Sequence, residues 1–144
     1  ATKAERFFEE NGIKTIEILN NNCRLYGDVA LCGTRGWFYE EERGGEHDKK
    51  IMLRELGRLE TSLKCAGERE KLVFLHYPPK FANYECREFI ELMESYGVRE
   101  CYYGHIHSAG CPMAFQGVKN GVTFRLVSAD WLQFRPFLVR DYSR

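Results

Sequence analysis

Three of the four histidines in this 144-residue chain lie in two short segments where residue type and spacing can do chemistry. His76 closes the apolar run Leu72-Val73-Phe74-Leu75 and is followed at once by Tyr77-Pro78-Pro79. His105 and His107 lie in Tyr103-Gly104-His105-Ile106-His107. Neutral imidazole is a ligand for zinc, manganese and iron. In extended backbone, residues two apart point to the same side with their nitrogens offset, so His105 and His107 can grip one ion or serve two adjacent ions. Gly104 is expected to supply the bend that ends the strand in a ligand loop. A lone strand-end histidine is usually a hydrogen-bonded structural residue, so the set of three carries the reading. His47, in a charged helix start, reads as solvated.

Other residues near these segments have two readings each. Arg35, between glycines in Gly33-Thr34-Arg35-Gly36-Trp37, can hold a phosphate bidentately or pair with a nearby carboxylate. Asp130 can orient a ligand imidazole or cap a turn. Trp37 and Trp131 can wall a pocket or pack in the core. Tyr77 and Tyr103 flank the histidines and are expected to pack around them. Cys101, His105, His107 and Cys111 offer a competing Cys₂His₂ structural zinc site, although their spacing is not that of a zinc finger and Cys101 falls inside a predicted strand.

The elements that must position these residues follow from pattern. Thr2 and Glu5 have capping-box spacing, which predicts a helix from Lys3 to Glu10, ended by Asn11-Gly12. Ile13 to Leu19 alternates like a strand. Arg24-Leu25-Tyr26 and Val29-Ala30-Leu31 flank Gly27-Asp28 as a tight hairpin, whose second strand runs directly into Gly33 to Trp37, followed by a polar loop at Phe38 to Glu46. Ile51, Leu53, Leu56, Leu59 and Leu63 mark the apolar face of a long helix closed by Gly67. Leu72 to Leu75 is a continuous apolar run, as in a strand covered on both faces, and the two prolines after it end the ladder. Glu85 to Tyr96 is a helix with Phe89, Ile90, Leu92 and Met93 inward and Gly97 as its stop. Cys101 to Tyr103 is a short strand, Asn120-Gly121 turns into a strand at Val122 to Val127, and Phe137 to Val139 begins a last one. Adjacent parallel strands would bring the ends at His76 and His105 together, as in open α/β sheets that bind ligands at their carboxyl edge.

Composition narrows the partners. Twenty-one basic residues balance twenty-one acidic ones, so no net field attracts nucleic acid or an anionic membrane. Apolar runs are too short to span a bilayer. No signal peptide precedes the first helix, which gives a cytoplasmic expectation. The six scattered cysteines, without a Cys-x-x-Cys pair, read as reduced and mostly buried thiols. No repeat, linker or low-complexity tract divides the chain, so residues 1–144 read as a single unit.

Leu75-His76-Tyr77-Pro78-Pro79 and Tyr103-Gly104-His105-Ile106-His107 together resemble the last two metal motifs of the calcineurin-like metallophosphoesterases. Gly33-Thr34-Arg35-Gly36-Trp37 and Leu126-Val127-Ser128-Ala129-Asp130 resemble a bacterial branch of predicted phosphohydrolases. The resemblance implies an α/β fold, a partial four-layer α/β/β/α sandwich of which this chain is the C-terminal part. It implies two divalent ions (manganese, iron or zinc), with His76 and His105 on one and His107 on the other, and hydrolysis of a phosphomonoester or phosphodiester. The family's Asp-x-His, Gly-Asp-x-x-Asp and Gly-Asn-His motifs are absent, and Gly27-Asp28 lacks the second aspartate because position 31 is leucine. Ala1 resembles the stretch just behind the third motif. The expected partners are therefore a phosphoester, a missing N-terminal half, and another copy through an exposed sheet. The chain alone is expected to be inactive, and a non-catalytic metal-binding or assembly module is the competing expectation.

Overall fold

Local signals dominate the first elements. In a computed structural model, which describes residues 2–40 and 44–141, helix α1 runs Lys3–Glu10 with both arms of the Thr2/Glu5 capping box closed. Strand β1 (Cys23–Tyr26) pairs antiparallel with β2 (Val29–Thr34), Tyr26 opposite Val29 across the Gly27-Asp28 turn. Helix α2 spans Glu46–Cys65 and leads to β3 (Glu70–Leu75). A two-residue pair, β4 (Lys80–Phe81) and β5 (Tyr84–Glu85), precedes helix α3 (Arg87–Ser95). Strand β6 (Glu100–Tyr103) is followed by a 3₁₀ turn at Ser108–Met113, then by the hairpin β7 (Gly117–Lys119) and β8 (Val122–Leu126).

The result is a mixed α/β fold. Six strands form one sheet in the order β1-β2-β3-β6-β8-β7, with β2, β3, β6 and β8 parallel and the outer strands antiparallel. Residues paired in register share a face. Cys32, Val73, Cys101 and Phe124 form one such row, and Leu75, Tyr103 and Leu126 form the next. Both rows are buried in the same core as Met52, Leu59 and Leu63 of α2 and Phe89, Ile90 and Met93 of α3. The two helices thus cover one face. On the other, the Phe74 and Tyr102 rings stack at 5.2 Å.

Several sequence expectations are corrected. Ile13 to Leu19 is irregular rather than a strand, because side chains take up its polar groups: Asn22 and Arg24 donate to the Ile18 carbonyl, and Asn22 accepts from the Asn20 N–H. Phe137 to Val139 is likewise not a strand. It lies against the second sheet face, with Phe137 against Tyr102 and the Arg125 guanidinium over the Phe137 ring. The helix expected from Glu85 starts at Arg87, since Glu85 belongs to β5 and pairs with Lys80 and Lys119. The buried stripe of α2 is Met52, Glu55, Leu59, Ser62 and Leu63, and Leu53 is exposed. Two polar residues hold that stripe: the Ser62 hydroxyl accepts the Gly33 N–H and donates to the Asn22 carbonyl, and Glu55 accepts from Thr34.

The cysteine reading also changes. Cys23 and Cys65 form a disulfide that ties β1 to the end of α2, with Cα atoms 5.8 Å apart. Cys32, Cys86, Cys101 and Cys111 are free and buried. Among the described residues no helix is long and apolar enough to cross a membrane.

Candidate metal centre

Parallel pairing of β2, β3, β6 and β8 sends four strand ends to one edge of the sheet. Arg35 follows β2, His76 follows β3, His105 and His107 follow β6, and Asp130 follows β8 after four residues. The loops are joined beyond the ladder. The Arg35 carbonyl accepts from the His76 and Tyr77 N–H groups at 3.1 and 2.9 Å, and Gly104 N–H donates to the Leu75 carbonyl at 3.2 Å. Gly33 is needed here, because a Cβ would collide with the Phe74 carbonyl oxygen.

His76 and His105 face each other. His105 Nδ1 lies 3.1 Å from His76 Nε2, and the rings cross at 72°. Two nitrogens each about 2.05 Å from one ion at a tetrahedral angle stand about 3.3 Å apart, so the pair has the separation of two ligands of one ion. Without an ion, the same nitrogens share one proton as donor and acceptor. Phe38 and Tyr77 pack on the His105 ring, at 5.5 and 4.4 Å between centroids. Partial burial, together with the neighbouring His76 and His107, holds the His105 imidazole below the usual histidine range. That favours its neutral, ligating form.

The bend expected of Gly104 sits one residue later. Gly104 is absent from the left-handed region, whereas His105 has φ +69° and the Ile106 N–H closes back on the Gly104 carbonyl at 2.8 Å. This is a positive-φ γ-turn centred on a non-glycine residue, a strained conformation of the kind that clusters at functional sites.

His107 is held differently. Its Nδ1 pairs with Asp130 Oδ1 at 2.9 Å, while Asp130 Oδ2 accepts the Ser108 N–H at 2.7 Å and Oδ1 the Trp131 N–H at 3.0 Å. Both readings of Asp130 are thus realised, as turn cap and as imidazole partner. The Ser108 N–H, helped by His107 and Trp131, keeps its carboxyl below the usual carboxylate range. A carboxylate on Nδ1 fixes the imidazole and leaves Nε2 as the nitrogen for a metal.

The structure therefore divides the histidines two and one. Among the described residues, no three of His, Cys, Asp and Glu are grouped to hold one ion. Cys101 does not join the histidines: it is on the helix-covered face, where burial pushes its thiol up and away from the thiolate that zinc requires. Tyr103 was expected beside the histidines but turns into the same core, with its hydroxyl donating to the Phe115 carbonyl. His47 is exposed. Trp131 is 42% exposed, and Trp37 stacks edge-on with Tyr77 at 5.3 Å.

Arg35 pairs with a carboxylate, that of fully buried Glu55, at 3.3 Å, and lies over the Trp37 ring at 4.7 Å. Sequence reasoning missed Glu55 because an acidic residue on an apolar helix stripe carries no periodic signal. It missed Ser128 as well, which is 4% exposed, has no hydrogen-bond partner for its Oγ among the described residues, and has that Oγ 4.0 Å from where a Cβ on Gly104 would stand. No family model matches this chain, and no curated protein matches it.

Proposed function

We propose that the chain carries part of the site of a metal-dependent phosphoester hydrolase of the calcineurin-like kind. The observation that carries this reading is the facing pair His76 Nε2 and His105 Nδ1, with His107 clamped by Asp130 on the same sheet edge. His76 and His105 would hold one divalent ion and His107 Nε2 the other, manganese, iron and zinc all being suited to imidazole. Such ions supply charge to polarise phosphoryl oxygens and acidify water. The chain's own residues orient the ligands: Asp130 fixes the His107 tautomer, the γ-turn aims His105, and Phe38 and Tyr77 shield one side of the pair from water. Two ligands and one fall short of the three protein ligands a catalytic site usually keeps. The remaining ligands, a bridging carboxylate included, would come from a second half of the domain. In that reading the present fold is part of a four-layer α/β/β/α sandwich, whose second sheet would have to take the place of the Phe137 segment that covers the Phe74 and Tyr102 face.

The test is manganese or zinc titration followed by imidazole NMR, with hydrolysis of a chromogenic phosphodiester assayed in parallel. The His76 and His105 signals should shift together and the His107 signals separately, the pair's response should vanish in His76→Ala, and turnover by this chain alone should be negligible. Absence of any shift at millimolar metal overturns the reading; robust turnover by this chain that is lost in His76→Ala overturns the divided site.

A second reading, a non-catalytic assembly module, is favoured by one observation: Phe134 and Leu138 are 83% and 72% exposed.

A further inference from the structure

The Glu55 carboxylate is met by four side chains, Thr34, Arg35, Arg54 and Arg58. It is fully buried, and its Oε2 accepts from the Thr34 hydroxyl at 2.8 Å. Three guanidiniums converge on its other oxygen: Arg58 at 2.7 Å, Arg35 at 3.3 Å and Arg54 at 3.9 Å. A buried carboxylate needs compensation, and one well-placed arginine provides it. Here three positive charges surround one negative charge. Asp48, which accepts from the Trp37 indole at 3.4 Å, adds a negative charge beside Trp37. Like charges held this close repel one another, and an anion brought to them relieves the repulsion.

The donors for such an anion are present. Each guanidinium offers five N–H groups in a fixed fork, and only two of the fifteen or so are spent in hydrogen bonds to Glu55. The three side chains remain between 36% and 56% exposed. Arg35 and Arg58 are held by the buried carboxylate from below, and Arg35 also by the Trp37 face under it. Planar forks of this kind match the oxygens of a tetrahedral dianion. The cluster adjoins the histidine edge through two rings in succession, Trp37 against Tyr77 and Tyr77 against His105.

We propose that Arg35, Arg54 and Arg58 form a binding site for a phosphoryl dianion, seated on Glu55 and separate from the histidines. The dianion is either free phosphate or a phosphate group borne by an organic phosphoester, and only the second case rests on the hydrolase reading above.

The test uses the full chain treated with a chelator, so that metal binding plays no part. Inorganic phosphate and glycerol phosphate are titrated separately, read by the Trp37 indole and arginine Nε NMR signals. Saturable shifts confined to Trp37 and these arginines are expected for phosphate, weakened about tenfold in Arg54→Ala. Arg54 is the informative variant because it lies beyond hydrogen-bond distance of Glu55, so its loss leaves the carboxylate bonded; Arg58→Lys, which keeps the charge, should bind with intermediate affinity. If glycerol phosphate binds as well as phosphate, the site takes a substrate-borne group; if it does not bind, the site takes the free anion. The proposal is overturned if phosphate causes no saturable shift, or if Arg54→Ala binds it unchanged. The imidazole titration with metal is independent of either result.

Discussion

At the scale of single residues, the candidate site is built on strain as well as on ligand chemistry. His105 holds φ +69° inside a γ-turn, where an L side chain costs on the order of 1–3 kcal/mol. The turn points its Nδ1 at His76, so the strain and the ligand geometry are one feature. This separates two substitutions that look alike chemically. Both His105→Ala and His105→Gly remove the imidazole and its contacts with Phe38 and Tyr77, but only glycine adopts positive φ freely. His105→Gly should therefore be more stable than His105→Ala by about 1 kcal/mol in urea unfolding. Equal stabilities would mean that the turn relaxes when the ring is lost. Neither variant should show the paired imidazole response to metal.

At the scale of elements, the histidines were legible because their positions coincide with strand ends that the apolar runs mark clearly. Leu72 to Leu75 and Cys101 to Tyr103 lie within strands β3 and β6, which pair in parallel as the intervening helix implies. The elements that were misread lack a local cause for their shape. Ile13 to Leu19 alternates like a strand but finds its partners in Asn22 and Arg24, and α2 hides Glu55 and Ser62 because β2 and the Asn22 loop need their oxygens. Tertiary partners decide both cases, and a single sequence does not show them.

The β4–β5 pair illustrates how one such partner sets pH dependence. Glu85 accepts Lys119 and Lys80 at 2.9 and 3.1 Å, tying β5 to β7. Its carboxyl is held below the ordinary 4.5 chiefly by Lys119, against a smaller effect of burial. A lowered folded value means that the stabilisation is present above the unfolded value and is lost as pH falls through the folded one. Glu85→Gln should lower the melting temperature at pH 7, and the gap to the parent should narrow as the pH falls below the ordinary 4.5. A gap that does not narrow with falling pH would show that packing, not charge, ties the hairpin to β7.

At the scale of the molecule, the two faces of the sheet are finished to different degrees. Helices α2 and α3 seal one face around a continuous core. The other face, with Leu72, Phe74 and Tyr102, is covered by chain without regular structure, held by Phe137 against Tyr102 and by Arg140 bonded to Glu100 and Glu70. Phe134 and Leu138, in the same C-terminal stretch, are both strongly exposed. Large apolar side chains left in water favour association. Light scattering should therefore show a molar mass that rises with protein concentration, and the double variant Phe134→Ser, Leu138→Ser should return it to that of one chain without changing the far-ultraviolet circular dichroism. The Arg140→Ala variant should act in the opposite direction, loosening the cover and increasing both association and dye binding. A mass independent of concentration in the parent protein would remove the basis for an assembly role and leave the strand-end histidines as the feature that defines its function.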